Sequence, residues 1–169
     1  MISVKSYIKN DKIITSLDNI ESNFLEYFID FDNTKCLELV IDFDYMEGAI
    51  IINYYGNTIL GFKEWDMIDQ LWSYFINAIE ELFENQNDVS FDFPDQPLEV
   101  KMQVISQEQI LLSIAGEKTC FNKDELLLAL LKGAENFFDI LKECPDEYLV
   151  EQSNNELKRI EKLLNKLNI

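Results

Sequence analysis

The chain has 169 residues, of which 47% are hydrophobic and 12% aromatic, enough apolar material for a continuous core and too much for a disordered chain. Against 14 Lys and Arg stand 32 Asp and Glu, a formal net charge of −18; this excludes the basic face that nucleic-acid backbones require and disfavours anionic membrane surfaces. With no His and 3 Cys, the sequence excludes Ser-His and Cys-His nucleophilic pairs and supplies no zinc set.

Cys36, Cys120 and Cys144 are odd in number and widely spaced, which predicts reduced thiols in a cytoplasm rather than a disulfide framework. Residues 1–17 mix polar and apolar types and predict no secretory leader. No apolar run reaches the ~18 residues of a membrane span. Only 5 Gly and 3 Pro are present, so connections are expected to be short.

Taken in chain order, Ile2 to Ile8 alternates with period two and predicts a strand, with Asn10-Asp11 as a turn and Ile13 to Thr15 as a returning strand. Ile20, Phe24, Leu25, Phe28 and Ile29 have the spacing of a short helix over 19–29, capped by Asp18 or Asn19. Leu37 to Phe43 reads as a strand. Ala49–Tyr55 and Thr58–Phe62 flank a Gly56-Asn57 turn and predict a hairpin.

Residues 66–84 predict a helix with Asp66 as its cap. Met67, Leu71, Trp72, Phe75, Ile79 and Leu82 form its apolar stripe. Strands are expected at 89–93, 98–105, 110–114 and 118–121. Asn122 with Glu125 three residues later is a capping-box signature and opens a helix to about Lys142. Pro145 breaks it. A third helix is expected over 146–168, acidic near its start and basic near its end, as the helix dipole favours. Its Leu157, Ile160, Leu164 and Leu167 make a short heptad-like seam, expected to dock on the same chain. A faint echo of hairpin followed by helix joins 49–84 to 98–142. Together these elements predict an α+β fold, with antiparallel hairpin and meander strands packed against two or three helices in a single domain spanning 1–169.

Two acidic strings bear on chemistry. Asp30-Phe31-Asp32-Asn33-Thr34 resembles the first motif of haloacid-dehalogenase phosphatases. That resemblance implies Asp30 as nucleophile, Asp32 as acid/base and a bound Mg²⁺, hence a metal-dependent phosphohydrolase. No later partner motif follows it. Asp42-Phe43-Asp44 with Glu47 offers oxygen ligands, but the central Gly and distal Glu of a calcium loop are missing, so a solvated strand end is expected there. Trp72 is expected in the core, and Trp65 as a core residue or an exposed anchor.

The segment 26–47 gathers Glu26, Asp30, Asp32, Glu38, Asp42, Asp44 and Glu47 against Lys35 alone, with Tyr27, Phe31 and Tyr45 interleaved. Such a surface steers and pairs with a basic protein. In overall character (small, acidic, aromatic-rich, without a catalytic set) the chain resembles the bacterial immunity proteins that neutralise co-encoded toxins. The resemblance implies a stoichiometric, cytoplasmic inhibitor of a basic, nuclease-type toxin. The residues expected to meet such a partner are Asp30, Asp32, Asp42, Asp44 and Glu47, with Tyr45 as aromatic anchor. No cofactor and no metal are expected, and the chain is expected to be a monomer or a weak homo-oligomer. The alternatives are the Asp30/Asp32 phosphohydrolase and a structural or regulatory subunit that oligomerises through 146–168.

Overall fold

A computed structural model describes residues 1–167. The fold is α+β: two antiparallel sheets and three long helices. The first sheet contains β1 (Ile2–Lys9), β2 (Phe28–Asp30), β3 (Glu47–Tyr54), β4 (Asn57–Leu60) and β5 (Asp66–Met67). Its order is β2-β1-β3-β4, with β5 also on β3. The second sheet is a meander of β6 (Val89–Asp92), β7 (Glu99–Val104), β8 (Gln109–Ile114) and β9 (Glu117–Asn122), paired in chain order. The helices are α1 (Ile68–Asn85), α2 (Lys123–Leu141) and α3 (Glu147–Lys166). Residue 168 of the third predicted helix lies outside the described residues.

One apolar cluster takes residues from both sheets and all three helices, among them Ile50, Ile52, Trp72, Phe75, Val100, Met102, Leu130, Phe137 and Ile160. Helix α1 joins the two sheets. Its Trp72 donates to the Ser6 hydroxyl on β1 at 3.0 Å, and its Phe75 ring meets Phe91 of β6 edge-on, centroids 5.1 Å apart. Helix α3 docks against α1 and α2. Leu149, Ile160 and Leu163 are buried, and Leu157, Leu164 and Leu167 are partly buried against the same cluster. Arg159, the only arginine, reaches from α3 to Asn77 at 2.7 Å and Glu80 at 2.6 Å on α1, and to Glu156 at 2.9 Å.

Where the sequence signal is strong, the elements form as predicted. Asn122 caps α2 by accepting from the Glu125 N–H at 3.1 Å, and Asp146 caps α3 by accepting from Leu149 at 2.9 Å. The hairpin at β3–β4 forms, but its loop is Tyr55-Gly56, one residue earlier than read. Both loop residues have positive φ, 47° and 83°, as a two-residue turn matched to strand twist requires. Tyr55 takes the strained position and Gly56 the easy one.

The first half of the chain departs from its sequence reading in three places. Residues 13–15 form no strand: the stretch of β1 beside the Asn10-Asp11 turn, where a returning strand would pair, is taken by β2, with Tyr7 opposite Asp30, Ile8 opposite Ile29 and Lys9 opposite Phe28. The helix expected over 19–29 is absent. Asn19 adopts φ 62°, only a short 3-10 turn forms at Phe24–Glu26, and the chain then extends into β2. Ile20, Phe24 and Phe28 instead fill a second, smaller apolar cluster with Tyr7, Ala49, Ile51 and Phe62 on the other face of the first sheet. Phe24 stacks on Phe62 at 4.5 Å. The strand expected over 37–43 is replaced by a 3-10 helix, Thr34–Leu39, whose first turn is held by the Asn33 side chain accepting from Lys35 at 3.0 Å. Helix α1 begins at Ile68, so Asp66 is not its cap but part of β5.

Gly133 lets α2 approach β1 and α1 closely. A Cβ there would stand 2.7 Å from Val4 Cγ1 and 2.8 Å from Trp72 Cη2. Alanine gains about 1 kcal/mol in helix propensity, whereas overpacking a filled core costs roughly 1–3 kcal/mol. The packing cost is expected to win. Gly133→Ala lowers the urea midpoint, Gly133→Val lowers it further, and Trp72 fluorescence shifts with both.

Candidate functional site

The six residues singled out by the sequence fall into two groups. Asp42, Tyr45 and Glu47 line one groove of about 260 Å³ together with Lys9, Asn10 and Ile41. Tyr45 and Glu47 also border an adjoining groove of about 310 Å³ with Trp65, Asp66, Asp95 and Gln96. Asp44 is exposed next to them, its N–H donating to the Asp42 carboxylate at 2.9 Å. Asp30 and Asp32 line a different groove, of about 370 Å³, with Val4, Lys5, Phe31, Lys132 and Gly133.

Register places the two groups relative to each other. Asp30 pairs with Tyr7 and Tyr7 with Ala49, so Asp30 and Glu47 are two strands and two residues apart on one sheet face. Strand spacing makes that roughly 12 Å. This is comparable with the ~8–10 Å Debye length of moderate salt, so the two groups form one acidic region only at low ionic strength.

A polar network holds the Tyr45 group. Asp66 is buried. Its carboxylate accepts the N–H of Met67 at 2.6 Å, of Asp95 at 3.1 Å and of Gln96 at 3.0 Å. The loop 94–97 between β6 and β7 is thereby tied to β5 in the first sheet. The Tyr45 hydroxyl donates to the Asp95 carboxylate, and the Gln96 amide donates to the Trp65 carbonyl. The Trp65 indole donates to Glu47 at 3.3 Å, and Lys9 lies 3.7 Å from the same carboxylate. Tyr45 nevertheless keeps 45% of its surface exposed. Its hydrogen bond to Asp95 is the main reason that its phenol is pushed up to about 12, so the ring presents a neutral hydroxyl throughout the physiological range.

The sequence reading missed Trp65, Asp66, Asp95 and Gln96 as one unit. Asp66 has the signature of a cap and Pro94-Asp95-Gln96-Pro97 that of a strand end. Nothing local to either segment shows that they meet across the two sheets.

Asp30 ends a strand antiparallel to its neighbour, whereas the phosphatase motif it resembles follows a parallel strand. Tyr7 and Cys36, which lie in its field, are both raised chiefly by burial, with the charges of Asp30 and Asp32 adding to that. All three cysteines are free, Cys36 and Cys144 buried and Cys120 exposed. Among the described residues no helix is long and apolar enough to cross a membrane. Comparison with protein-family models, with curated proteins and with solved structures finds no match.

Asp69 stands apart from both groups. It is buried in the first turn of α1 and its Oδ1 has no hydrogen-bond partner among the described residues. Burial raises its carboxyl above the ordinary 3.8, against the pull of the Gln70 N–H and its own. Burial also raises Asp66 above 3.8 and Glu64 above 4.5. The folded chain therefore takes up these protons more readily than the unfolded chain. Their contribution to stability is fully present below the ordinary carboxyl range and is lost as pH rises through the raised values.

Two outcomes are expected. Asp69→Asn removes an uncompensated charge at the cost of a weaker dipole interaction; near pH 8 it is expected to stabilise by about 1 kcal/mol, and the gain to shrink as pH falls towards 4 in paired urea titrations. Asp66→Ala leaves the Asp95 and Gln96 N–H groups without their acceptor. It is expected to cost roughly 1–3 kcal/mol and to speed amide exchange at both positions.

Proposed function

We propose that this chain is a protein-binding domain that neutralises a cationic protein by occupying its basic surface, in the manner of the bacterial immunity proteins it resembles. The observation that carries the reading is the Tyr45 group. An exposed aromatic ring stands between two grooves, with Asp42 and Glu47 beside it and its hydroxyl fixed to Asp95. Interface centres favour such rigid aromatic anchors, and a surrounding charge of one sign supplies steering and selects against wrong partners. The net charge of −18 extends that attraction over the whole molecule. Because the Tyr45 ring is held before any partner arrives, little ordering entropy is lost when it is buried.

The test is capture of basic proteins on the immobilised chain. A stoichiometric basic partner is expected to bind at low salt and to elute by about 0.5 M salt, where the Debye length falls to a few Å. Tyr45→Ala is expected to weaken it by about 2 kcal/mol or more, roughly 30-fold, and Glu47→Lys to slow its association. Capture that is indifferent to both variants would sink the reading.

A further inference from the structure

Strand β1 has a free edge. On one side it pairs with β3 from Ile2 to Ile8. On the other, β2 covers only Tyr7 to Lys9. The direction of each backbone group follows from the bonds that flank the gap. The Ser6 carbonyl accepts from Phe31 at 2.9 Å and the Asn10 N–H donates to Tyr27 at 2.8 Å, both on the β2 side, while the Met1 carbonyl accepts from Tyr55 at 3.2 Å on the β3 side. Even-numbered residues of β1 therefore face outwards. Among the described residues, the N–H and C=O groups of Ile2 and Val4, and the N–H of Ser6, have no strand opposite them.

This edge borders a groove. Its volume is about 370 Å³, and α2 forms the opposite wall with Ala129, Lys132, Gly133 and Asn136. At Gly133 the wall is bare backbone, and α2 there closes on Val4, whose Cγ1 would lie 2.7 Å from an added Cβ. At the end where β2 stops, Asp30 and Asp32 stand at the mouth, and among the described residues neither makes an ion pair. Lys132 is paired with Glu135 at 2.7 Å, and Lys5 is the other cation that lines the groove.

We propose that the β1 edge is a docking site for an extended segment of another protein, which adds as a strand beside Ile2–Ser6 and places a basic residue against Asp30 and Asp32. An unpaired edge supplies main-chain hydrogen bonds to any strand, and the side-chain pockets along it supply selectivity. Small or β-branched side chains of the incoming strand fit over Val4, Ala129 and Gly133, and its alternate residues face solvent beside Ser3 and Lys5. A second copy of this chain is the disfavoured occupant, because each copy carries −18 and like charge opposes association. The proposal does not depend on the Tyr45 reading, since the two surfaces share no residue.

The probe is the peptide acetyl-Arg-Thr-Val-Thr-Val-amide, added to the isotope-labelled chain. It is expected to bind with a Kd on the order of 1 mM, to shift and protect the amides of Ile2, Val4 and Ser6, and to weaken about 10-fold when Glu replaces its Arg. Val4→Pro removes an outward N–H without breaking a bond to β3, a position at which edge strands tolerate proline. It is expected to abolish the effect while leaving the far-ultraviolet spectrum unchanged. Asp30→Asn with Asp32→Asn keeps the backbone edge and is expected to weaken the Arg peptide to the level of its Glu analogue. Tyr45→Ala is expected to change nothing here. Absence of binding at several mM, shifts confined to other surfaces, undiminished binding by a folded Val4→Pro chain, or sedimentation as a dimer that Val4→Pro dissociates would each overturn the proposal.

Discussion

The indole of Trp72 is where the parts of this fold meet. It is fully buried, its one polar atom is satisfied by Ser6 on β1, and its ring edge lies where the Gly133 side chain would be. A buried indole N–H without a partner costs on the order of 1–3 kcal/mol, so Ser6 fixes the rotation of α1 against the first sheet. With that rotation set, Phe75 faces β6 and brings the second sheet onto the same core. The position of the groove beside Trp65 follows: the loop 94–97 reaches Asp66 because the second sheet is held where α1 puts it.

The elements legible in the sequence are those whose apolar period is long and uninterrupted. Helix α1 repeats its stripe over about five turns, and the meander has two-sided alternation with turn residues between. The 19–29 segment failed for a physical reason. Ile20, Phe24 and Phe28 have helical spacing, but they are needed on a sheet face that the helices do not cover, and tertiary demand outweighs the few tenths of a kcal/mol per residue that propensity offers. Segment 37–43 has strand composition, but the β1 edge at Tyr7–Lys9 is already paired with β2 and both edges of β3 carry strands, and Leu39 and Ile41 are left exposed.

Site legibility divides in the same way. Density of carboxylates along 26–47 is a property of sequence, and it singled out Asp30, Asp32, Asp42, Asp44, Tyr45 and Glu47, of which Asp42, Tyr45 and Glu47 line one groove. That Asp30 and Asp32 face a separate groove depends on strand register, and a two-residue change in register moves a side chain by almost 7 Å. The tie between Asp66 and the 94–97 loop lies further out of reach, since it joins residues about thirty positions apart across two sheets. The six residues were grouped by sequence proximity, whereas the structure sorts them by the side of β1 on which they fall.

The clamp around Arg159 also limits what this molecule can recognise. Its guanidinium is committed to Asn77, Glu80 and Glu156, and no other exists in the chain. The planar two-pronged grip that arginine gives to phosphates and carboxylates is thus spent on holding α3 to α1. Every remaining side-chain cation is a lysine ammonium, a compact and strongly hydrated point charge. An anionic ligand would be met by charge alone, without the shape match that a fork provides. The directional recognition left to this surface runs through carboxylates, which accept, and through amides, phenols and main-chain groups, which offer both donors and acceptors.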